Sequence, residues 1–223
     1  MKKYVMLVGG GSGTRMGSSI PKQFMDLNGL PVILRTAKVF LDWCPEIHLI
    51  FVVPAAYVKT MESLCSEYGL LRDFIITEGG PTRFHSVKNG LSMIDDDEAV
   101  IGIHDSVRPL IDFSLLERVY KGAAEQGNAI PVIPVTESVR MRDGAISSPV
   151  DRSALVIVQT PQCFKVSRIK SAYQTFYDEG FTDDATVAEN AGIEIHLVEG
   201  SPENIKITTP SDLKFAQAIL EQL

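Results

Sequence analysis

Residues Gly9-Gly10-Gly11-Ser12-Gly13-Thr14-Arg15-Met16-Gly17, followed by Pro21-Lys22-Gln23, suggest chemistry most directly. Four glycines and a serine in five positions leave almost no side chain in the way. Backbone N–H groups there can approach an anion closely, as a nest. Arg15 and Lys22 add two cations to the same loop. A bare, doubly cationic loop suits a triphosphate. It is not a P-loop, because Gly13 is followed by Thr14-Arg15 and no Gly-Lys-Ser/Thr occurs in the chain. Nor is it a dinucleotide fingerprint, because the third glycine position falls on Thr14 or Met16.

Further constellations lie downstream. Gly79-Gly80-Pro81-Thr82-Arg83-Phe84-His85-Ser86 is a glycine turn opening a helix, able to grip a base or ribose through backbone groups. His104-Asp105-Ser106-Val107-Arg108-Pro109 puts an acid where it can bind a ribose hydroxyl or a metal-bound water, and an arginine that can bind phosphate. Asp151-Arg152 and Gln159-Thr160-Pro161-Gln162 flank a strand that reads as buried. Thr182-Asp183-Asp184-Ala185-Thr186 also reads as a helix N-cap. Asn204-Ile205-Lys206-Ile207-Thr208-Thr209-Pro210 places Lys206 in a short alternating strand before a proline-initiated helix.

The elements that must position these residues alternate. Apolar runs at 4–8 and 47–53 read as strands covered on both faces. Helices are expected over 31–43, 55–68, 82–94, 114–126 (capped by Ser114), 167–179, 183–191 and 210–222. Further strands are expected at 74–76, 99–103, 130–135, 154–158 and 193–198. The order predicts an α/β fold, a doubly wound, mostly parallel, Rossmann-like sheet. The glycine loop, the 79–86 turn and Asp105 all fall at carboxyl ends of strands, where such sheets bind ligands. The polar stretch 136–151 breaks the rhythm. Ser138–Met141 and Ala145–Val150 read as legs of a projecting hairpin around Asp143-Gly144, of the kind that packs on a partner chain. One domain over 1–223 is expected, with 136–151 as its arm.

The chain has 223 residues and a net charge of −7, which argues against nucleic acid or an acidic membrane surface as the main partner. Three scattered cysteines suggest neither a disulfide framework nor a zinc site. No leader or membrane span is evident, and the simplest compartment is the cytoplasm.

The glycine loop resembles the signature of nucleotidyltransferases that activate sugar phosphates with an NTP. Taken in order, the glycine loop, H-D-x-x-R-P, D-R-x(2)-L, Q-T-P-Q, T-D-D-A-[ST] and N-I-K-I-T-x-P-x-D-L resemble the 2-C-methyl-D-erythritol 4-phosphate cytidylyltransferases of non-mevalonate isoprenoid biosynthesis, over the full length. The resemblance implies a homodimer joined by the 136–151 arm and transfer of CMP from CTP to a sugar-alcohol phosphate. It implies Mg²⁺ held by phosphates, with no direct protein ligand and Asp105 nearby. Arg15 and Lys22 match the catalytic triphosphate-binding pair. Gly9, Gly10, Gly11, Gly13, Gly80, Ser86 and Asp105 match nucleotide-binding positions. Arg108, Thr182 and Lys206 match acceptor-binding positions, and Ser138 and Arg152 match acceptor contacts from the neighbouring subunit. The chain departs from the family pattern in opening its loop Gly-Gly-Gly, where the family more often has alanine in the first or second place, and at Pro81. Ser106 stands where Ala is usual, Ser138 where Thr is usual and Val156 where Trp is frequent. The ribitol-5-phosphate cytidylyltransferases are the neighbouring alternative, and the second Asp of Thr182-Asp183-Asp184 favours the methylerythritol enzymes. A non-catalytic CTP sensor is the alternative of another class, disfavoured by the retained Arg15, Lys22, Arg152 and Lys206.

Overall fold

The structure, a computed structural model, describes residues 1–10, 20–70 and 74–222. The strands are β1 (Lys3–Val8), β2 (Asp26–Leu27), β3 (Leu30–Pro31), β4 (His48–Val53), β5 (Phe74–Glu78), β6 (Val100–Asp105), β7 (Asn128–Pro134), β8 (Val139–Asp143), β9 (Ile146–Val150), β10 (Val156–Val158), β11 (Gln162–Lys165) and β12 (Leu197–Glu199). The helices are α1 (Val32–Trp43), α2 (Val58–Glu67), α3 (Arg83–Leu91), α4 (Phe113–Gln126), α5 (Val166–Ala172), α6 (Asp184–Asn190) and α7 (Pro210–Leu220).

The main sheet runs β10-β7-β11-β6-β1-β4-β5, with β12 also paired to β7. β6, β1, β4 and β5 are parallel, whereas β10 and β11 enter antiparallel. The doubly wound reading holds. The period-two alternation of the strands divides their side chains between two cores. Val5, Leu7, Leu49 and Phe51 pack with Phe40 of α1, Met61 of α2 and Val119 of α4. Tyr4, Met6, Ile50 and Val52 pack on the other face with Val87 of α3, Ile169 of α5 and Val187 of α6. A smaller core joins Leu27, Val32, Val107 and Ile207 to Ala216 of α7.

Several sequence expectations need correction. The N-cap of α4 is Asp112, whose carboxylate accepts from Leu115 N–H at 2.7 Å. Ser114 instead donates to that carboxylate at 2.6 Å. A carboxylate suits the positive end of a helix better than a hydroxyl. α5 stops at Ala172, and the next residue, Tyr173, turns its hydroxyl to Asp184 at 2.7 Å. Gln162–Lys165, part of the Q-T-P-Q region, forms a strand that the sequence reading omitted. β12 is confined to 197–199. β10 is exposed rather than buried. Lys206 lies outside any strand, in a segment tied to its neighbour by the Ile207 N–H bond to Val107 O at 2.9 Å.

β8 and β9 form the expected hairpin around Gly144, a separate two-stranded sheet with largely exposed side chains. Inside the main sheet, Gly102 lets Tyr120 lie directly on β6. A Cβ at Gly102 would stand 2.6 Å from the Tyr120 hydroxyl oxygen, which itself donates to Tyr4 O at 2.7 Å. Gly102→Ala is expected to lower stability by about 1–3 kcal/mol through overpacking. Urea unfolding measures this, and an unchanged midpoint would show that α4 shifts at no cost.

Candidate active site

The carboxyl ends of β1, β4, β5 and β6 converge because parallel strands start and finish together. Backbone bonds extend the convergence past the strands themselves. Gly9 N–H donates to Val52 O and Gly79 N–H donates to Val53 O, both at 2.8 Å. A cleft of about 310 Å³ opens there, lined from separate segments by Gly9, Gly10, Lys22, Gly80, Ser86, Asp105 and Lys206 among others.

Each wall has a local cause. Gly9 is fixed by the Gln23 side-chain amide, which donates to Gly9 O at 2.8 Å. Thr82 caps α3 by accepting from His85 N–H, which sets the Gly79-Gly80 turn against the first turn of that helix. Ser86 then closes the turn, since Gly80 N–H donates to Ser86 Oγ at 3.0 Å and Ser86 Oγ donates to Thr82 O at 2.9 Å. Only glycine fits at position 80, because an added Cβ would stand 2.3 Å from His85 Cβ.

Asp105 is the acid of this described lining. Its Oδ2 lies 2.8 Å from Lys206 Nζ and 3.4 Å from Arg108 Nε. Burial raises the carboxyl, but the charges of Lys206, Arg83 and Arg108 outweigh it and hold Asp105 well below the usual carboxylate range. Arg108 also donates to Asn204 O at 2.6 Å. Burial lowers its guanidinium, an effect that Asp105 opposes. Lys22 Nζ donates to Ile207 O at 3.1 Å. The segment around Lys206 is thus sewn to β6 and to the loop after β1.

The structure brings together Gly9, Gly10, Lys22, Gly80, Ser86, Asp105 and Lys206. Arg108 braces that group through Asp105 and Asn204. Thr182, Ser138 and Arg152 are exposed and stand outside the described lining. Arg152 donates to Thr136 O at the base of the hairpin. Gly11, Gly13 and Arg15 lie outside the described residues.

The sequence reading gave no role to two residues that shape the cleft. Arg83 lines it and forks onto Asp184, at 2.8 Å and 2.6 Å, joining α3 to α6. Burial opposes the Arg83 charge, but the Asp184 carboxylate prevails and holds its proton firmly. Asp184 is fully buried and also accepts from the Tyr173 hydroxyl. Thr160 accepts from Asp105 N–H at 3.1 Å, fixing the acid's backbone. The signal for Arg83 was an unmatched cation at the start of an amphipathic helix. Its partner lies 101 residues away, beyond any local pattern.

A family model described as 2-C-methyl-D-erythritol 4-phosphate cytidylyltransferase matches residues 4–222. A protein of that name from Phocaeicola vulgatus is 43% identical over 220 residues, covering 99% of this chain and 100% of its own. The crystal structure of the Francisella tularensis 2-C-methyl-D-erythritol 4-phosphate cytidylyltransferase matches with a TM-score of 0.81 and 28% identity, covering 98% of this chain and 99% of that one. The bifunctional IspDF from Campylobacter jejuni matches with a TM-score of 0.82 and 25% identity. That match covers 96% of this chain and 54% of the longer protein.

Beneath Asp105, His104 is wholly buried, edge-on to Phe40. Its Nε2–H donates to Arg108 O at 3.1 Å, since a carbonyl can only accept. Nδ1 then accepts from the Thr160 hydroxyl at 3.1 Å, which fits the neutral ring. Burial is the main cause that lowers its pKa from 6.5 to about 4. Between those values the unfolded chain binds a proton that the folded protein refuses. The stabilisation is therefore complete above pH 6.5 and is lost as pH falls towards 4, a difference of about 3 kcal/mol. Urea unfolding across this range is expected to show wild-type stability falling relative to His104→Gln by that amount. A pH-independent difference would mean that His104 does not titrate there.

Proposed function

The chain belongs to the 2-C-methyl-D-erythritol 4-phosphate cytidylyltransferase family, and from that premise we infer that it transfers CMP from CTP to 2-C-methyl-D-erythritol 4-phosphate. A phosphate oxygen of the acceptor attacks the α-phosphorus of CTP. The bond from that phosphorus to the β-phosphate bridging oxygen breaks, and pyrophosphate leaves with the electron pair. The products are 4-diphosphocytidyl-2-C-methyl-D-erythritol and pyrophosphate. The observation that carries this reading is the convergence of glycine backbone, Lys22, Asp105 and Lys206 on one cleft at the strand ends.

Such a transfer asks the protein for in-line positioning and for neutralisation of charge on the phosphate oxygens. We assign Lys22 and Arg15 to the triphosphate, and Gly9, Gly10, Gly11 and Gly13 to its backbone N–H contacts. Gly80 and Ser86 receive the cytosine side, and Asp105 the ribose side. Lys206, Arg108 and Thr182 receive the acceptor phosphate. Lys206 suits this role because it reaches the cleft while held 2.8 Å from Asp105. No group of three or more His, Cys, Asp or Glu side chains among the described residues is placed to hold a metal ion. We assign Mg²⁺ to the triphosphate, where it would be carried by phosphate oxygens and water with Asp105 as the carboxylate beside it. The ion would supply Lewis-acid shielding of the phosphate charge.

A homodimer completes the proposal. Val156, Ile157 and Val158 of β10 expose a run of β-branched side chains, and Met141 and Ile146 of the hairpin are exposed. A partner covering these surfaces would bring Ser138 and Arg152 of one subunit towards the acceptor of the other. No helix among the described residues is long and apolar enough to cross a membrane. We place the enzyme in the cytoplasm, where CTP is available.

Pyrophosphate release from CTP is expected with methylerythritol 4-phosphate and not with ribitol 5-phosphate. Preference for ribitol 5-phosphate would overturn the acceptor, and release with neither would favour a CTP sensor. Lys206→Ala is expected to cut kcat/KM by about 10²–10³. Normal turnover in that variant would remove Lys206 from the site. Mixing inactive Arg15→Ala and Arg152→Ala chains is expected to restore activity, because a mixed dimer keeps one intact shared site. No recovery in proven mixed dimers would refute sharing.

A further inference from the structure

Two buried side-chain atoms among the described residues have no hydrogen-bond partner, Ser106 Oγ and Asn204 Oδ1. Asn204 is otherwise engaged, because its side-chain amide donates to Thr160 O at 2.8 Å and its backbone carbonyl accepts from Arg108. Ser106 is different. Its backbone is fully used, with N–H donating to Val8 O at 3.1 Å and the carbonyl accepting from Thr36 at 2.9 Å. Its hydroxyl makes no bond, although the residue is only 1% exposed. A hydroxyl finds a partner by rotating one torsion, so a buried one left without any is a standing cost to the free protein.

The surroundings put that hydroxyl at the wall of the cleft. Ser106 lines the cleft directly after Asp105. Opposite it stands Gly9, where a Cβ would lie 3.2 Å from Ser106 Oγ. Gly9 is held from both sides by Val52 O and the Gln23 side chain. The wall facing the hydroxyl is therefore fixed backbone without a side chain.

We propose that the Ser106 hydroxyl is a nucleotide contact that exchanges a hydrogen bond with a ribose hydroxyl and selects ribonucleotides over deoxyribonucleotides. The inference rests on the cytidylyltransferase reading above. A sugar hydroxyl fits better than a phosphate. The neighbouring Asp105 carboxylate can accept from a sugar hydroxyl, and the serine both donates and accepts. The phosphates have Lys22 and Lys206 to go to.

The test is calorimetric binding of CTP, 2′-deoxyCTP and 3′-deoxyCTP to the wild type and to Ser106→Ala, without acceptor, together with the Tm of both free proteins. The wild type is expected to prefer CTP over at least one deoxy analogue. Ser106→Ala is expected to weaken CTP by about three- to tenfold while leaving that analogue unchanged. Free Ser106→Ala is expected to melt no lower than the wild type, because no bond in the free protein is lost. Equal wild-type affinity for all three nucleotides overturns the proposal without recourse to the variant. So does unchanged CTP binding by Ser106→Ala, equal weakening of all three, or a lowered Tm. Failure of the wild type to bind CTP at all would instead sink the cytidylyltransferase reading.

Discussion

The Asp105–Lys206 ion pair is the contact on which the site depends. The segment carrying Lys206 belongs to no strand of the sheet. It reaches the cleft because Asp105 takes its ammonium, Arg108 takes Asn204 O, Val107 O takes the Ile207 N–H and Lys22 takes Ile207 O. All of these partners are anchored at the end of β6 or in the loop after β1. The final residue of the buried strand β6 thus organises chain about 100 residues downstream. An acid at that position has little choice but to be paired, since burying an uncompensated charge costs several kcal/mol.

The same economy governs the second ion pair. Arg83 and Asp184 form a bidentate fork between the first turns of α3 and α6. α3 opens with the Gly79-Gly80 turn, and α6 opens beside Thr182. The fork therefore fixes the distance between the nucleotide side and the acceptor side of the proposed site. Gln162 reinforces it by donating to Asp183 at 2.7 Å and accepting from Ala185 N–H at 2.8 Å. A β11 side chain thus pins the start of α6 to the sheet.

Local pattern carried a large part of this into the sequence. The apolar runs of β1 and β4, the alternation of strands with helices, and the Gly79-Gly80 turn at a strand end were legible because each depends on residues close in the chain. So was the hairpin, whose Asp143-Gly144 turn states its own geometry. What was illegible depends on distant partners. β11 is short, and its role comes from pairing with both β6 and β7. Lys206 read as a strand residue because its neighbours alternate, but side-chain and isolated backbone bonds hold that segment. Arg83 gave no sign of its buried partner. At α4 the error was one of competition, since Asp112 and Ser114 both suit a cap and the carboxylate prevailed.

The charge balance ties these points to the proposed chemistry. The chain is acidic overall, at −7, while its cleft gathers Lys22, Arg83 and Lys206. Two of these cations have carboxylate partners in the free protein, Asp184 for Arg83 and Asp105 for Lys206, and Lys22 has a carbonyl. They are therefore already oriented and partly stripped of water. A polyanion entering the cleft exchanges partners with them and need not order free side chains first. That lowers the entropy cost of binding and keeps the cations fixed while charge shifts on the phosphates. Arg83 is the least available for such an exchange, since both of its terminal nitrogens are committed to a buried carboxylate. Lys206 is the most available, because its side chain remains 43% exposed while paired. The geometry thus sets Arg83 apart as the cation that holds the frame and makes Lys206 the one best placed to turn to a phosphate.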